Sequence, residues 1–459
     1  MFALPASPSR RSSLLSFVLI ACVSCAAPAE RPSLVESVGT QVVATESFAL
    51  DDRNDVSALA HEGDLASYLE LGLRQSPSLQ ALEARLEASL ERGVQERALP
   101  NPVLSYTEFV EELQTRTGPN ERRVRLDQSF PWPGLRGAKG ALADADAARL
   151  ASELDLARVE QAGAIANAWL DLAFAHRSLA IAREELELLG ALTVVVQGRV
   201  ETGGPREDWI NLEIEIARVE DRVNEGEDSL RPRSARLAGA CGFGAEDGEL
   251  SATLEQIEQW HSSVSDVRGR AAGTNPRARV LETAIDRAEA AREVAERADR
   301  PSLGLGVEYI DIGDPIDPTT PGGGDDPVAV RMSIGLPVWR GSYAAAGREA
   351  ERGERAARLE LEAWELELQA EIESAIFDLA DADRELELCR AVLGPRSTEA
   401  FALTETRYAV GEATLAELID AERAVLGVQL ESARALRDRG RAIARLAVLT
   451  GDISLMENH

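Results

Sequence analysis

The order of apolar and polar positions divides the chain into two kinds of segment. From Gly134 to about Val200 no proline interrupts a helical pattern. At 1.5 Å per residue, those roughly 67 residues make a helix of about 100 Å. A second such stretch runs from about Ser342 to Tyr408 and is broken only at Gly394-Pro395. A kink or interruption is expected there, because proline removes a backbone donor and crowds the preceding turn. Such lengths without caps predict a coiled coil or a helical tube. Elsewhere the period drops to two. Leu303, Leu305, Val307 and Tyr309 share one face, with Gly304, Gly306 and Glu308 on the other. Val328, Val330, Met332, Ile334 and Leu336 likewise oppose Ala329, Arg331, Ser333 and Gly335. Strands are predicted at about 302–312 and 326–337, close to the roughly 9–11 residues of a tilted transmembrane strand. The intervening stretch, Asp311 to Asp326, is acidic and rich in turn residues. A first pair of strands, about 103–113 and 121–131, alternates less cleanly around Thr117-Gly118-Pro119-Asn120.

These elements recur. A helical stretch begins at Ser76-Pro77 and stops at Pro100-Asn101-Pro102; another begins at Asn275-Pro276 and stops at Pro301, offset by 199. Val124-Arg125 before Pro131 matches Val330-Arg331 before Pro337, offset 206. Arg199 to Gly203 matches Arg407 to Gly411, offset 208, and Leu237-Ala238 with Gly242 matches Leu446-Ala447 with Gly451, offset 209. Ordered matches with slowly drifting offsets point to an internal duplication. The repeats span 65–242 and 274–451, with a segment 243–273 between them and a tail 452–459. Each reads helix, strand, strand, long helix, turn, helix. The fold class is therefore mainly α with a small β part. Ser76 and Asn275 are placed as N-caps with proline at the first helical position. Four strands cannot close a barrel of the usual minimum of about eight. An open sheet cannot sit in lipid. If these strands span a membrane, several chains must share one barrel. The alternative is a pair of soluble hairpins with one solvated face.

Composition sharpens this picture. With 49 Lys+Arg against 79 Asp+Glu the net charge is -30, which argues against nucleic acid as a partner. Aromatics are only 4%, thin for several compact cores and suited to long helices. Four Cys and four His, widely scattered, form neither a disulfide framework nor a metal cluster. His61, His176, His261 and His459 are isolated, and Cys241 and Cys389 read as ordinary helix residues. No catalytic constellation is spaced for chemistry, and no cofactor is expected. At the N-terminus, Arg10-Arg11 precede an apolar stretch from Leu14 to Ala21, which reads as an export signal over 1–21. Leu19-Ile20-Ala21-Cys22 has lipobox order, so Cys22 is the expected lipidation site. Cys25 is the weaker candidate, and the alternative is a plain signal cut near Ala27. Residues 22–64 read as a tether.

Taken together, these residues resemble the TolC family of outer membrane efflux proteins over roughly Leu65 to Gly451. Phe130-Pro131-Trp132-Pro133-Gly134-Leu135-Arg136-Gly137 is most similar to the cobalt–zinc–cadmium and copper efflux branch. Arg407-Tyr408-Ala409-Val410-Gly411-Glu412-Ala413-Thr414-Leu415, running into Glu417 to Ala421, resembles the periplasmic tip of the second repeat. The resemblance implies a homotrimer, with twelve strands in one outer membrane barrel and a helical tunnel through the periplasm. It implies a passive exit duct, not an enzyme, docked to a periplasmic adaptor and an inner-membrane pump of RND type, with heavy-metal cations as cargo. Glu417 and Asp420 would ring the periplasmic aperture, where six carboxylates favour cations and raise some pKa values. Gly203, Arg407, Val410 and Gly411 would lie at the tips that adaptors contact. The segment 243–273, with Trp260, resembles the belt around the tunnel's middle. The first tip, Gly203-Gly204-Pro205-Arg206-Glu207-Asp208-Trp209, departs from the second by its Pro and Trp. Two other readings stand beside this one: the duct of a type I protein secretion system, and a periplasmic coiled-coil structural lipoprotein.

Overall fold

The computed structural model describes residues 63–244, 250–260 and 273–456. The export signal, Cys22, His61, His261, His459 and all of the tether but Gly63 and Asp64 lie outside the described residues. In chain order the elements are α1 (Leu65–Gln75), α2 (Pro77–Arg97), β1 (Val103–Thr115), β2 (Gly118–Phe130), α3 (Leu135–Glu201) and α4 (Arg206–Cys241). A 3-10 turn at Leu254–Gln259 follows, then α5 (Pro276–Ala298), β3 (Ser302–Ile312), β4 (Val328–Gly335) and α6 (Arg340–Leu388). A π-helical segment Cys389–Leu393 joins α6 to α7 (Gly394–Ala409), and α8 (Leu415–Thr450) leads to a last 3-10 turn, Ile453–Met456.

The long helix of 67 residues, α3, forms where the proline-free pattern puts it. Its alanines and glycines let neighbours come close. Ala143 and Ala147 are buried, Gly163 meets Val448, and Gly440 of α8 meets Leu170. The interruption at Gly394-Pro395 takes a specific form. The helix does not stop; it widens into the π segment just before Pro395, which absorbs the missing donor and the bulk of the ring. Pro232 inside α4 is carried without a break in the helix.

The four strands make one antiparallel sheet in the order β1-β2-β3-β4, so β1 and β4 are its edges. Two expected boundaries shift. The first hairpin turns on Arg116-Thr117 alone, because Gly118 takes φ 134° and pairs at once with Thr115. The last strand is shorter than 326–337. Pro327 and Pro337 have no N–H to give the ladder, and the Asp326 carboxylate instead accepts from the Ile312 N–H at 2.9 Å.

The main core gathers α1, the middle of α3, the end of α4, the first 3-10 turn, α6 and the end of α8. Trp169 stacks on Trp260 with ring centroids 6.2 Å apart, and its indole N–H donates to the Gly63 carbonyl at 3.0 Å. Buried Arg439 locks the first 3-10 turn to two helices, donating to Ile257 O at 2.6 Å, Trp260 O at 3.3 Å and Asp383 at 2.8 Å. The end of the tether and the start of the tail are therefore part of the packed body: Met456 is 1% exposed. His176 is not wholly in solvent, since its Nε2 lies 3.3 Å from Leu250 O. Asn275 caps α5 through its side chain, at 2.7 Å from Arg277 N. Ser76 precedes α2 as expected, but its hydroxyl bonds Ser78 Oγ instead of a backbone amide.

Candidate functional site at the helical tips

Two helical turns, α3 to α4 and α7 to α8, sit side by side around a second core of Leu189, Val196, Leu212, Tyr408, Leu415 and Leu418. Each is closed in the same way. Gly203 (φ 99°) donates to Val200 O at 3.1 Å while Gly204 N reaches Arg199 O at 2.8 Å. Gly411 (φ 83°) donates to Tyr408 O at 3.1 Å while Glu412 N reaches Arg407 O at 2.8 Å. This is a left-handed glycine cap that satisfies the last carbonyls of each helix. The difference at the first tip is local: Pro205 is the N-cap of α4, and Trp209 packs on the tip core.

Of the residues expected at the tips, Val410 is 68% exposed and a Cβ at Gly203 would meet only open space. Arg407 is half-exposed and donates to Glu412 O at 3.0 Å. The clasp between the two tips comes from a residue the sequence marked only as part of the repeat. Arg199 of α3 lies over the Tyr408 ring, 4.5 Å from its centroid, and reaches Tyr408 O at 3.5 Å.

Glu417 and Asp420 both lie on the first turns of α8, but they are held differently. Glu417 completes a capping box. Its carboxylate accepts from Thr414 N at 2.7 Å, and Thr414 Oγ1 accepts from Glu417 N at 3.2 Å. The Thr414 backbone hydrogen bond, then its hydroxyl, holds this carboxyl below its ordinary value. Within one chain Glu417 is thus a depressed acid, where crowding at an aperture was expected to raise it. The Asp420 side chain is 75% exposed and lies 3.5 Å from Arg423.

Just above the tips lies a buried acidic cluster that the sequence analysis missed. Glu185 of α3, Glu215 of α4 and Glu422 of α8 are 4%, 8% and 2% exposed. Glu185 accepts from Arg222 at 2.6 Å, and Glu215 from Arg218 at 2.6 Å and from Arg423. Glu422 Oε1 has no hydrogen-bond partner. Burial pushes the Glu422 carboxyl up to about 7, with Glu185 and Glu215 adding to the effect and Arg423 opposing it. Burial likewise raises Glu185 against the pull of Arg222. For Glu215 burial also acts upward, but Arg423 and Arg218 together outweigh it and leave it below its ordinary value. A signal was present in the sequence. Leu415, Leu418, Ile419 and Glu422 follow the i, i+3, i+4, i+7 spacing of a buried stripe. Among so many glutamates, that phase does not stand out in the sequence.

The polar faces, tips and cluster hold no arrangement that a metal would need: among the described residues no group of three His, Cys, Asp or Glu side chains is so placed. Nor is any described helix long and apolar enough to cross a membrane. Buried Cys241 has its thiol pushed up to about 12 by desolvation and points at Tyr68 O.

The model of the outer membrane efflux protein family matches residues 267–452, the second repeat and its lead-in. The chain is 25% identical to the pyoverdine export outer membrane protein OpmQ of Pseudomonas putida, across 92% of each protein. Its fold is similar to the outer membrane protein VceC of Vibrio cholerae, with TM-score 0.66, 19% identity, and 84% of this chain against 96% of that one. It is also similar to a membrane protein from Pseudomonas aeruginosa, with TM-score 0.71, 17% identity, and 93% against 97%. The second half of the chain thus matches the outer membrane efflux protein family, and over most of its length the chain is similar to an outer membrane export protein.

Proposed function

We propose that the chain is the passive exit duct of a tripartite efflux system, assembled as a homotrimer whose three sheets close one twelve-stranded barrel. The sheet carries this reading. One face presents Leu303, Leu305, Val307, Val328, Val330 and Met332, all between 40% and 81% exposed, in unbroken alternation. Over the same stretch of the β3–β4 hairpin the opposite face carries Gly304, Gly306, Glu308, Ala329, Arg331 and Ser333. Such a sheet suits lipid outside and water inside, yet both its edges carry unpaired backbone groups, which hydrocarbon does not tolerate. Three copies joined β4 to β1 remove every edge. Apolar side chains left uncovered along the helices, Leu366 at 65% and Phe377 at 67%, support neighbours there too. The matched caps at offsets 208 and 209 support descent of the two halves from one repeat.

In this assembly the tips face the periplasm. Gly203, Arg407, Val410 and Gly411 meet the adaptor, and an RND-type pump supplies the energy. Glu417 and Asp420 line the aperture, and lipid on Cys22 holds the N-terminus at the membrane. For cargo, the Phe130 to Gly137 stretch favours metal cations, whereas the Pseudomonas putida relative is named for pyoverdine export. Detergent-extracted protein is expected to scatter light as a trimer and to conduct ions in a planar bilayer. Monomers with intact strand circular dichroism would refute the shared barrel.

A further inference from the structure

The polar face of the sheet is graded along the strands. Toward the Phe130 end, the register aligns Ser129 with Gly304 and Ser333, and Ser302 with Gly335, so no long side chain projects. The glycines leave room there for the side chains of the neighbouring strands. A Cβ on Gly306 would run into the Asp127 carboxylate, and one on Gly304 into the Ser333 hydroxyl.

One step further along, charge replaces small residues. The Glu308 side chain is 7% exposed and is shared between two strands: Oε1 lies 2.9 Å from Arg123 Nε of β2, and Oε2 lies 2.9 Å from Arg331 Nη2 of β4. Arg125 pairs with Asp127 at 3.1 Å on the same face. Arg123 also lies over the Phe109 ring, 5.6 Å from its centroid. One carboxylate cannot neutralise two guanidiniums. Three arginines against Asp127 and Glu308 leave this part of the face at +1, in a chain whose net charge is -30.

Resting on the duct reading above, we propose that Arg123, Arg125 and Arg331 form a positive girdle inside the barrel that favours small anionic solutes over bare cations. Glu308 is the internal spacer that fixes two of them. Guanidinium forks suit carboxylate and phosphate oxygens. The Ser/Gly zone keeps the lumen open up to the girdle. The acids at the tips and in the 313–327 loop lie beyond it at either end. At low salt, with screening over ~10 Å or more, the girdle acts on ions passing it.

The test uses the full-length protein in planar bilayers under a low-salt KCl gradient, with chloride and potassium as the probes. Four forms set the net charge of the face: Arg123→Gln with Arg331→Gln at -1, Arg331→Gln at 0, wild type at +1 and Glu308→Gln at +2. Arg125→Gln, which breaks the half-buried pair with Asp127 and leaves Glu308 with both its arginines, gives a second form at 0. The chloride-to-potassium permeability ratio is expected to rise in that order, by about two-fold per step. If Glu308→Gln fails to assemble, the three arginine variants still order the series. A ratio that stays flat while conductance persists overturns the girdle. A wild type that conducts nothing overturns the duct reading instead.

Discussion

Replacing Glu422 by Gln tests the buried cluster above the tips. Glu422 is 2% exposed, set among Glu185, Glu215 and Arg423 from α3, α4 and α8, and its Oε1 has no partner. Its carboxyl ionises near pH 7 when folded, against 4.5 for an ordinary glutamate. The folded form therefore holds a proton that the unfolded form has lost between pH 4.5 and 7. Stability from this group is fully present below 4.5 and falls as the pH rises through 7. At pH 8 the displacement costs at most about 3 kcal/mol, and relaxation or water entry lowers that. Gln keeps the shape and removes the ionisation. Hydrogen exchange of α8 amides around residues 415–430, corrected for intrinsic rate, measures the local opening. Wild type should lose protection between pH 6 and pH 8, by at most about ten-fold, because most of the loss falls between pH 4.5 and 7. Glu422→Gln should lose far less and should be the more protected form at pH 8. An unchanged pH dependence in the variant refutes the reasoning and assigns the effect to Glu185 or to groups elsewhere.

Other outcomes follow from the same geometry. Thr414→Ala should destabilise the start of α8 by about 1 kcal/mol, read as faster exchange there, because it removes one half of the capping box. Arg199→Ala should loosen the two tips by about 0.5–2 kcal/mol, visible as increased proteolysis at Gly203 and Gly411 with trimers intact. Glu417→Gln combined with Asp420→Asn should reduce block of the duct by multivalent cations added from the periplasmic side. Equal block in variant and wild type would remove both residues from the aperture. Mass spectrometry of the mature N-terminus should find a diacylglycerol mass on Cys22; an unmodified terminus beyond Cys25 would exclude lipidation there.

What the sequence determined by itself was local. Proline placement set the ends of α2 and α5, the absence of proline set the 67 residues of α3, and the period of two placed β3 to the residue. Gly203 and Gly411 marked the tips because only glycine takes the left-handed cap at little cost. Tertiary structure decided what depended on partners far away in the chain. The phase of α8 relative to α3 and α4 buries Glu422 beside Glu185 and Glu215, residues more than 200 positions apart, and no local pattern carries that phase. Arg199 meets Tyr408 across the same distance. β2 pairs with β3 across the whole of α3 to α5, which turns two separate hairpins into one sheet and brings Arg123 to Glu308. Local spacing fixes which residues share a face; only the packing of distant segments fixes what that face meets, and with it the ionisation of Glu422 and the charge of the sheet's polar side.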